Sequence, residues 1–392
     1  MIRLLKSYKT EIDPTEEQKH KINRTIGVCR FIYNFYIAEN KEIYEAEKSF
    51  MSGMDFSKWL NNEFVPENPE YLWIKEVSSK AVKQSIMNGE KAFKKFFRKQ
   101  SGFPRFKKKS RSDVKAYFPK NNPTDWTIER HRLKIPTLGF VRLKEKGYIP
   151  NDSMVKSGTV SIKAGRYYVS VLTEAAEKPY DVPEGNGIGI DLGIKDFAVV
   201  NTMENPFANI NKTKTVRDLE KKLKREQRKL SRKYESLKVK NKETKGEATR
   251  RNIHKQIIKV QKLHQRLSNI RENHVNQVIS QVIKQKPSFI TIEDLNVKGM
   301  MKNRHLAKAV KGQNFYSFRM KLADQCRKNG IELRIADRWY PSSRLCSECG
   351  SIRKDLKLSD RTYRCDACGF VIDRDRNASI NLLNAKVYTV AP

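Results

Sequence analysis

The sequence predicts a multidomain α+β chain: a β-barrel with a helical bundle inserted into it, then an α/β half that carries a small cysteine-bounded insertion. Three observations carry this reading. At 392 residues the chain is too long for one compact core and divides into two or three domains. Apolar spacing is helical from Glu16 to about Arg98 but strand-like on both sides, in MIRLLKSYKTEI and again from Val114 to Thr173. After Gly185, buried-strand patterns alternate with long helical ones, the signature of an α/β layer.

Taken in order, the first strand ends at Asp13-Pro14-Thr15, where DPTEEQ supplies a capping residue, an early proline and acids for a first helical turn. Helical spacing follows through Ile22, Ile26, Cys29, Ile32 and Tyr33, and later Val82, Ile86, Ala92, Phe93 and Phe96, with a proline-containing break at EFVPENPEYLW. From Ala92 to Arg111 the chain holds nine basic residues, no acid and a run of phenylalanines. Short alternating segments such as GFVRLK and GRYYVSVLT then read as barrel strands. GIGIDLGIKDFAVV reads as a strand, a turn and a second strand; two long helices follow, separated near NKETKGEAT. PSFITIEDL is a further buried strand, NFYSFRMKLADQCRKNG a helix stopped at Gly330, and IELRIADRWY another strand. No internal repeat of fixed period is present.

Lys plus Arg number 80 against 44 Asp plus Glu, a net charge of +36, which makes a polyanion the expected partner. Nucleic acid fits better than a membrane, because no apolar run approaches a spanning helix and aromatic residues lie among the basic ones. Arg105, Lys107 and Lys108, in the acid-free stretch, are the expected backbone contacts. Met1 leads into a basic strand rather than a signal-peptide core, so a cytoplasmic, reducing compartment is expected. There Cys29 and Cys326, alone in apolar helical contexts, read as core residues.

The other four cysteines form Cys346-x2-Cys349 and Cys365-x2-Cys368, fifteen residues apart and each followed by glycine. Two such knuckles present four thiolates to one Zn²⁺, closing its coordination sphere, so the ion is structural. Three carboxylates call for a harder ion. Strand alternation in GIGIDLG sets Gly187, Gly189, Asp191 and Gly193 on one face, cleared of bulk, and Glu293 ends the apolar run FITIEDL. In VIDRDRNASINLL, Asp373 is a natural N-cap, whereas Asp375, Ala378, Ser379 and Leu382 share a face that can approach the sheet. Asp191, Glu293 and Asp375 together suit Mg²⁺ or Mn²⁺, and two such ions favour phosphodiester hydrolysis.

Ordered motifs then carry a resemblance over nearly the whole chain: GVCRFIYNF, GFPRFKKK, GIDLGIKDFAVV, ITIEDLNVKGM, DRWYPSSRLCSECG and CDACGFVIDRDRNASINLL. The chain resembles TnpB, the insertion-sequence-encoded RNA-guided endonucleases related to type V CRISPR effectors. The resemblance implies a RuvC-like, RNase H-type nuclease domain with Asp191, Glu293 and Asp375 as its acids, and a zinc ribbon inserted between its last strand and last helix. Residues 1–13 and 112–182 are then the wedge-like barrel, 14–111 the helical recognition domain, 183–392 the nuclease domain and 340–372 the ribbon. It also implies a guide RNA made from the element's end, double-stranded target DNA, and a short target-adjacent motif read by Lys80 and Gln84. Tyr340, Ser342 and Ser343 match family positions without a derivable role. A nuclease-dead RNA-guided repressor would have lost the acid triad, intact here. A transposase, or a zinc-ribbon accessory DNA-binding protein of transposition, would leave the RNA-bound resemblance or the strand acids unexplained.

Overall fold

Strand β1 (Arg3–Asp13) stops at Pro14, which has no N–H to give a ladder, and Thr15 turns the chain into α1 (Glu16–Glu47). The cap is reciprocal: the Thr15 hydroxyl accepts from the Gln18 N–H at 3.3 Å and the Thr15 N–H donates to Gln18 Oε1 at 3.0 Å. The computed structural model describes residues 3–109, 115–120, 122, 124–176, 183–243, 250–357 and 359–391. These fall into two units, Met1–Lys178 and Pro179–Pro392.

In the first unit α1 is followed by α2 (Gly53–Trp59), a π-helical turn at Leu60–Phe64, the single turn α3 (Val65–Glu67), a 3-10 stretch at Pro69–Glu76 and α4 (Ser79–Phe97). The proline-containing break expected from the sequence is thus a chain of short tight turns. Ile32, Tyr36, Phe56, Leu60, Ile86 and Phe93 are fully buried among these helices. Phe93, Phe96, Phe97 and Phe103 pack ring against ring, with Phe93 buried in this core and Phe97 and Phe103 exposed at its edge.

The strands that follow are β2 (Lys115–Pro119), β3 (Thr127–Ile128), β4 (Arg132–Ile135), β5 (Gly139–Leu143), β6 (Met154–Lys163) and β7 (Arg166–Ala176). With β1 they make one antiparallel sheet in the order β2-β6-β7-β1-β5-β4-β3. This corrects the expected barrel: among the described residues no pairing joins β2 to β3, and the sheet is open. A physical reason is the length of β3, whose two residues cannot supply a closing ladder. The expected boundary at 111/112 falls at residues outside the described set, and that at 182/183 at its edge.

The second unit is built on β8 (Ile188–Leu192), β9 (Asp196–Val200), β10 (Phe207–Ala208), β11 (Phe289–Glu293), β12 (Glu332–Ala336) and β15 (Tyr388–Val390). Their order is β10-β9-β8-β11-β12-β15, with β8, β11 and β12 mutually parallel and the outer pairings antiparallel. Between β10 and β11 run α5 (Lys214–Glu243) and α6 (Arg251–Ile283); the expected break between them lies largely outside the described residues. Between β11 and β12 run α7 (Val297–Lys302), α8 (Ala307–Gln313) and α9 (Phe315–Lys328). The hairpin β13 (Thr362–Arg364) and β14 (Val371–Asp373) leads directly into α10 (Arg374–Leu383). Ile188, Ile190, Ile290 and Ile292 face Val275, Ile279, Phe318 and Leu322 of α6 and α9 in one core. The opposite face of β8 receives α10. No helix among the described residues is long and apolar enough to cross a membrane.

That docking depends on Gly189. A Cβ there would stand 2.0 Å from the Ser379 carbonyl oxygen and 2.4 Å from the Leu383 nitrogen, both backbone atoms. Gly189→Ala is therefore expected to destabilise the second unit by about 1–3 kcal/mol or more, a fall of several degrees in its unfolding temperature. Gly27 in α1 has nothing within 4 Å of a Cβ, so Gly27→Ala should stabilise the first unit by about 1 kcal/mol. Calorimetric scans of the two variants check both signs, and an unchanged Gly189→Ala transition would contradict the packing argument.

Candidate active site and metal centre

The parallel register Ile290↔Ile188, Thr291↔Gly189 and Ile292↔Ile190 brings Asp191 and Glu293, each one position further on, to a shared carboxyl-terminal edge. Asp375 comes from the first turn of α10, where the Asp373 carboxylate caps the helix by accepting from the N–H groups of Asp375 and Arg376, both at 3.0 Å. Ala378, Ser379 and Leu382 on the sheet side of α10 are buried.

The three acids feel one another. Burial pushes the Asp191 carboxyl well above the usual carboxylate range, and the charges of Glu293 and Asp375 push it further, against a smaller pull from Arg374. Glu293 is raised by burial and by Asp375, and partly restrained by a hydrogen bond from Ser342. Arg374 pairs with Asp375 at 3.1 Å and offsets part of the charge. Among the described residues the acids do not form a cluster with all oxygens within 4.8 Å of one another; the four cysteines alone do so. The carboxylates thus make an oxygen-lined site wider than one ion's first shell.

The neighbouring acid, Asp294, differs in kind. Burial would raise it, but hydrogen bonds from Arg319, at 2.7 Å, and from Arg338 outweigh that and hold it below the usual range. Of the two adjacent acids in the EDL sequence, Glu293 is the one left open to a cation.

The cysteine cluster is compact. Cys346 and Cys368 sulfurs are 3.8 Å apart and Cys349 and Cys365 sulfurs 3.5 Å. A regular tetrahedron with 2.3 Å metal–sulfur bonds has edges of about 3.8 Å, so the spacing fits one thiolate-bound ion. Each knuckle closes with a glycine N–H returning to the first cysteine carbonyl at 3.0 Å, Gly350 to Cys346 and Gly369 to Cys365, at φ +75° and +74°. The Ser351 hydroxyl beside Cys365, then the Cys368 N–H, draw the Cys365 thiol down, while, against the pull of the Phe370 N–H, the neighbouring cysteine sulfurs push the Cys368 thiol up, so the four thiols share their protons unevenly. Leu356, Tyr363, Phe370 and Ile372 give this insertion a small core. Cys29 and Cys326 stay buried outside it, burial raising both thiols and Cys326 to about 12.

A lattice of side chains ties the two centres together. The Ser342 hydroxyl donates to Glu293 Oε1 at 2.6 Å. Asn381 of α10 donates to the Ser342 and Leu345 carbonyls at 2.7 and 2.6 Å, and Tyr340 donates to the Asn381 carbonyl at 3.0 Å. Asn377 donates to the Leu345 carbonyl at 2.7 Å and accepts from the Ser347 N–H at 3.0 Å. Tyr340 and Ser342, unexplained by sequence, thus gain contacts; Ser343 gains no side-chain hydrogen bond among the described residues. Arg374, Asn377 and Asn381 were missed, although two asparagines one helical turn apart on a buried face were a readable signal.

The expected nucleic-acid residues divide. Lys80 is exposed in the first turn of α4, lining a cleft of about 350 Å³ with Phe118, Pro119 and Lys134. Gln84, one turn on, is half-buried and donates to Asn88 at 3.1 Å. Arg105 and Lys108 are exposed. Lys107 is held by the protein: its backbone pairs with the Asn34 amide at 2.7 and 3.0 Å, and its ammonium sits 3.7 Å over the Tyr33 ring.

Three family models match the chain. One described as "Helix-turn-helix domain" covers residues 1–49, one described as "Probable transposase" covers 170–304, and one described as "Cas12f1-like, TNB domain" covers 315–382. Over the first of these the described residues form one strand and one long helix. InsQ of Escherichia coli (strain K12), named as an RNA-guided DNA endonuclease, is 30% identical over 98% of this chain and 93% of its own length. A Streptomyces pristinaespiralis protein named in the same way is 31% identical, over 98% and 90%. A cryo-EM structure of a Cas12f1–sgRNA–target DNA complex superposes with a TM-score of 0.54 at 14% identity, covering 99% of this chain and 100% of that one, a likeness of fold.

The raised carboxyls have a consequence for stability. Because Asp191 holds its proton more tightly in the fold than in the unfolded chain, metal-free protein loses stability as pH climbs from the ordinary carboxylate range through the raised value. Metal-free Asp191→Asn should unfold at a higher temperature than the parent at neutral pH, the gap closing toward pH 4. Thermal scans across pH check this, and an Asn variant less stable at neutral pH would contradict it.

Proposed function

The chain belongs to the TnpB family, and from that premise we propose that it is a transposon-derived RNA-guided DNA endonuclease whose RuvC-like site cuts double-stranded target DNA. The observation that carries the reading is the convergence of Asp191, Glu293 and Asp375 from two parallel strands and a helix, with two of the carboxyls raised by burial and mutual repulsion. Such a site is costly unless a cation neutralises it. Its all-oxygen donor set suits Mg²⁺ or Mn²⁺. The chemistry such ions supply when bound is activation of a water and neutralisation of charge on the leaving oxygen of an in-line displacement.

The chain's own residues prepare that chemistry. Asp191 and Glu293 hold fixed positions at the ends of paired strands, and Asp375 is placed by the packing of α10 against β8. Ser342 orients one Glu293 oxygen, leaving the other free as a ligand. Arg374 pairs with Asp375 and offsets part of its charge. Zn²⁺ is the ion we assign to Cys346, Cys349, Cys365 and Cys368, where a closed thiolate shell supplies folding energy. Guide RNA and target DNA would be held by backbone charge on the basic surfaces, including Arg105 and Lys108, with sequence read by base pairing in a prokaryotic cytosol. For the wedge-like domain (1–13 and 112–182), the recognition domain (14–111), the nuclease domain (183–392) and the ribbon (340–372) we propose the ranges expected from sequence.

Purified protein with its guide RNA is expected to cut matched DNA only with Mg²⁺ or Mn²⁺. Asp191→Ala, Glu293→Ala and Asp375→Ala should each lower cutting by at least about a thousandfold while target binding persists. Asp373→Ala removes a cap worth about 1 kcal/mol and should cut within a few-fold of the parent. Undiminished cutting by a triad variant removes that residue from the site.

Metal analysis should find zinc in the parent and a loss of it in Cys365→Ser, with the lattice through Asn377 and Asn381 loosened in turn. Unchanged zinc in that variant rejects the assignment. Lys80 and Gln84 are proposed to read the target-adjacent motif, since Lys and Gln match guanine and adenine edges. In a randomised-flank cleavage assay Gln84→Ala should alter the accepted flanks, losing about tenfold on the preferred one; identical profiles for Lys80→Ala and Gln84→Ala would assign the reading elsewhere.

A further inference from the structure

We infer that the Trp339 ring is a stacking subsite for one unpaired nucleobase of the strand being cut. The inference rests on the nuclease reading and adds a substrate contact to it. Trp339 is 85% exposed, more than any other large hydrophobic side chain among the described residues. Tryptophan is on average among the well-buried residues, so an indole left in water is informative. Its ring makes no hydrogen bond and no ring contact among the described residues.

The backbone that carries the ring is fixed on both sides. The Trp339 N–H donates to Asp337 Oδ1 at 2.8 Å and the Tyr340 N–H to the Asp337 carbonyl at 3.0 Å, making a tight turn after β12. Before the ring, Arg338 pairs with Asp294, next in sequence to Glu293. After it, Tyr340 bonds Asn381 of α10 and Ser342 bonds Glu293 itself. A cavity of about 190 Å³, lined by Glu293, Asp337, Arg338 and Tyr340, opens beside the turn. The ring is thus presented by a turn clamped to the acid site on either side, while its own faces stay free.

The chemistry of the surroundings selects the occupant. A protein partner of ordinary size covers roughly 800 Å² per side, whereas Trp339 is a single exposed ring that directly follows two exposed charged residues, Asp337 and Arg338. One base needs only one ring. Bases within a duplex already stack on each other, whereas every base of an unpaired strand offers a free face, so the subsite favours single-stranded DNA with little sequence preference.

The test uses full-length protein with its guide RNA and single-stranded DNA carrying 2-aminopurine at successive positions, whose fluorescence falls on stacking. Asp191→Ala as background separates binding from cutting. Quenching at one or two adjacent positions is expected in that background and with Trp339→Phe added, and not with Trp339→Ala. In the cutting-competent protein Trp339→Ala should raise KM for single-stranded DNA about 5- to 150-fold with kcat changed far less, and Trp339→Phe should restore most of it. Quenching that ignores residue 339, quenching found only with 2-aminopurine in the guide RNA, or a parental KM in Trp339→Ala would each overturn the subsite. Cutting that survives all three acid substitutions would instead overturn the nuclease reading, which the quenching experiment does not address.

Discussion

Where Gly189 lacks a side chain, the backbone of α10 lies against β8, and the geometry of the acidic site follows from that contact. The carbonyl of Ser379 and the nitrogen of Leu383 occupy the space a Cβ would take. With the helix held there, its first turn falls beside the ends of β8 and β11, and Asp375 joins two strand-borne acids whose own positions follow from parallel register. Any larger residue would lift the helix, and a shift of even an ångström is large against the tolerances of metal ligation. The site's electrostatic strain is the counterpart of this precision: three acids are brought within mutual influence by packing that does not depend on their charges.

The same helix faces a second task on its other side. Asn377 and Asn381, both buried, spend their amides on the Leu345 and Ser342 carbonyls and on the Ser347 N–H. Buried amides with fixed partners set register, since each alternative arrangement would strand a donor or acceptor. The ribbon is therefore not a loosely tethered appendage. Its first knuckle is pinned to the helix that bears Asp375, and the segment leading into it delivers the Ser342 hydroxyl to Glu293.

Much of this was legible in the sequence where a spacing has one physical meaning. Paired knuckles followed by glycine, acids ending buried strands, and a capping Asp373 two residues before Asp375 each restrict geometry locally. The barrel was not, because alternation identifies strands but not whether the last pair closes, and a strand as short as Thr127–Ile128 leaves little trace. Lys107 looked like its basic neighbours until its partners, Asn34 and Tyr33, were adjacent in space. Trp339 read as the end of a strand, since exposure is a property of the folded surface alone.

The place of β1 also bears on how the chain comes to be folded. It is made before the other strands of its sheet, yet it lies in the middle of the seven-stranded sheet, between β7 and β5, with Thr10 paired to Val169. During synthesis the sheet has no central ladder until β7 has emerged, whereas α1 to α4 can find their mutual contacts much earlier. Loop closure over such a separation is slow relative to local helix packing. The nascent chain therefore carries β1 without its main partner until β7 is made, and Lys6 and Lys9 discourage that strand from pairing with the wrong neighbour.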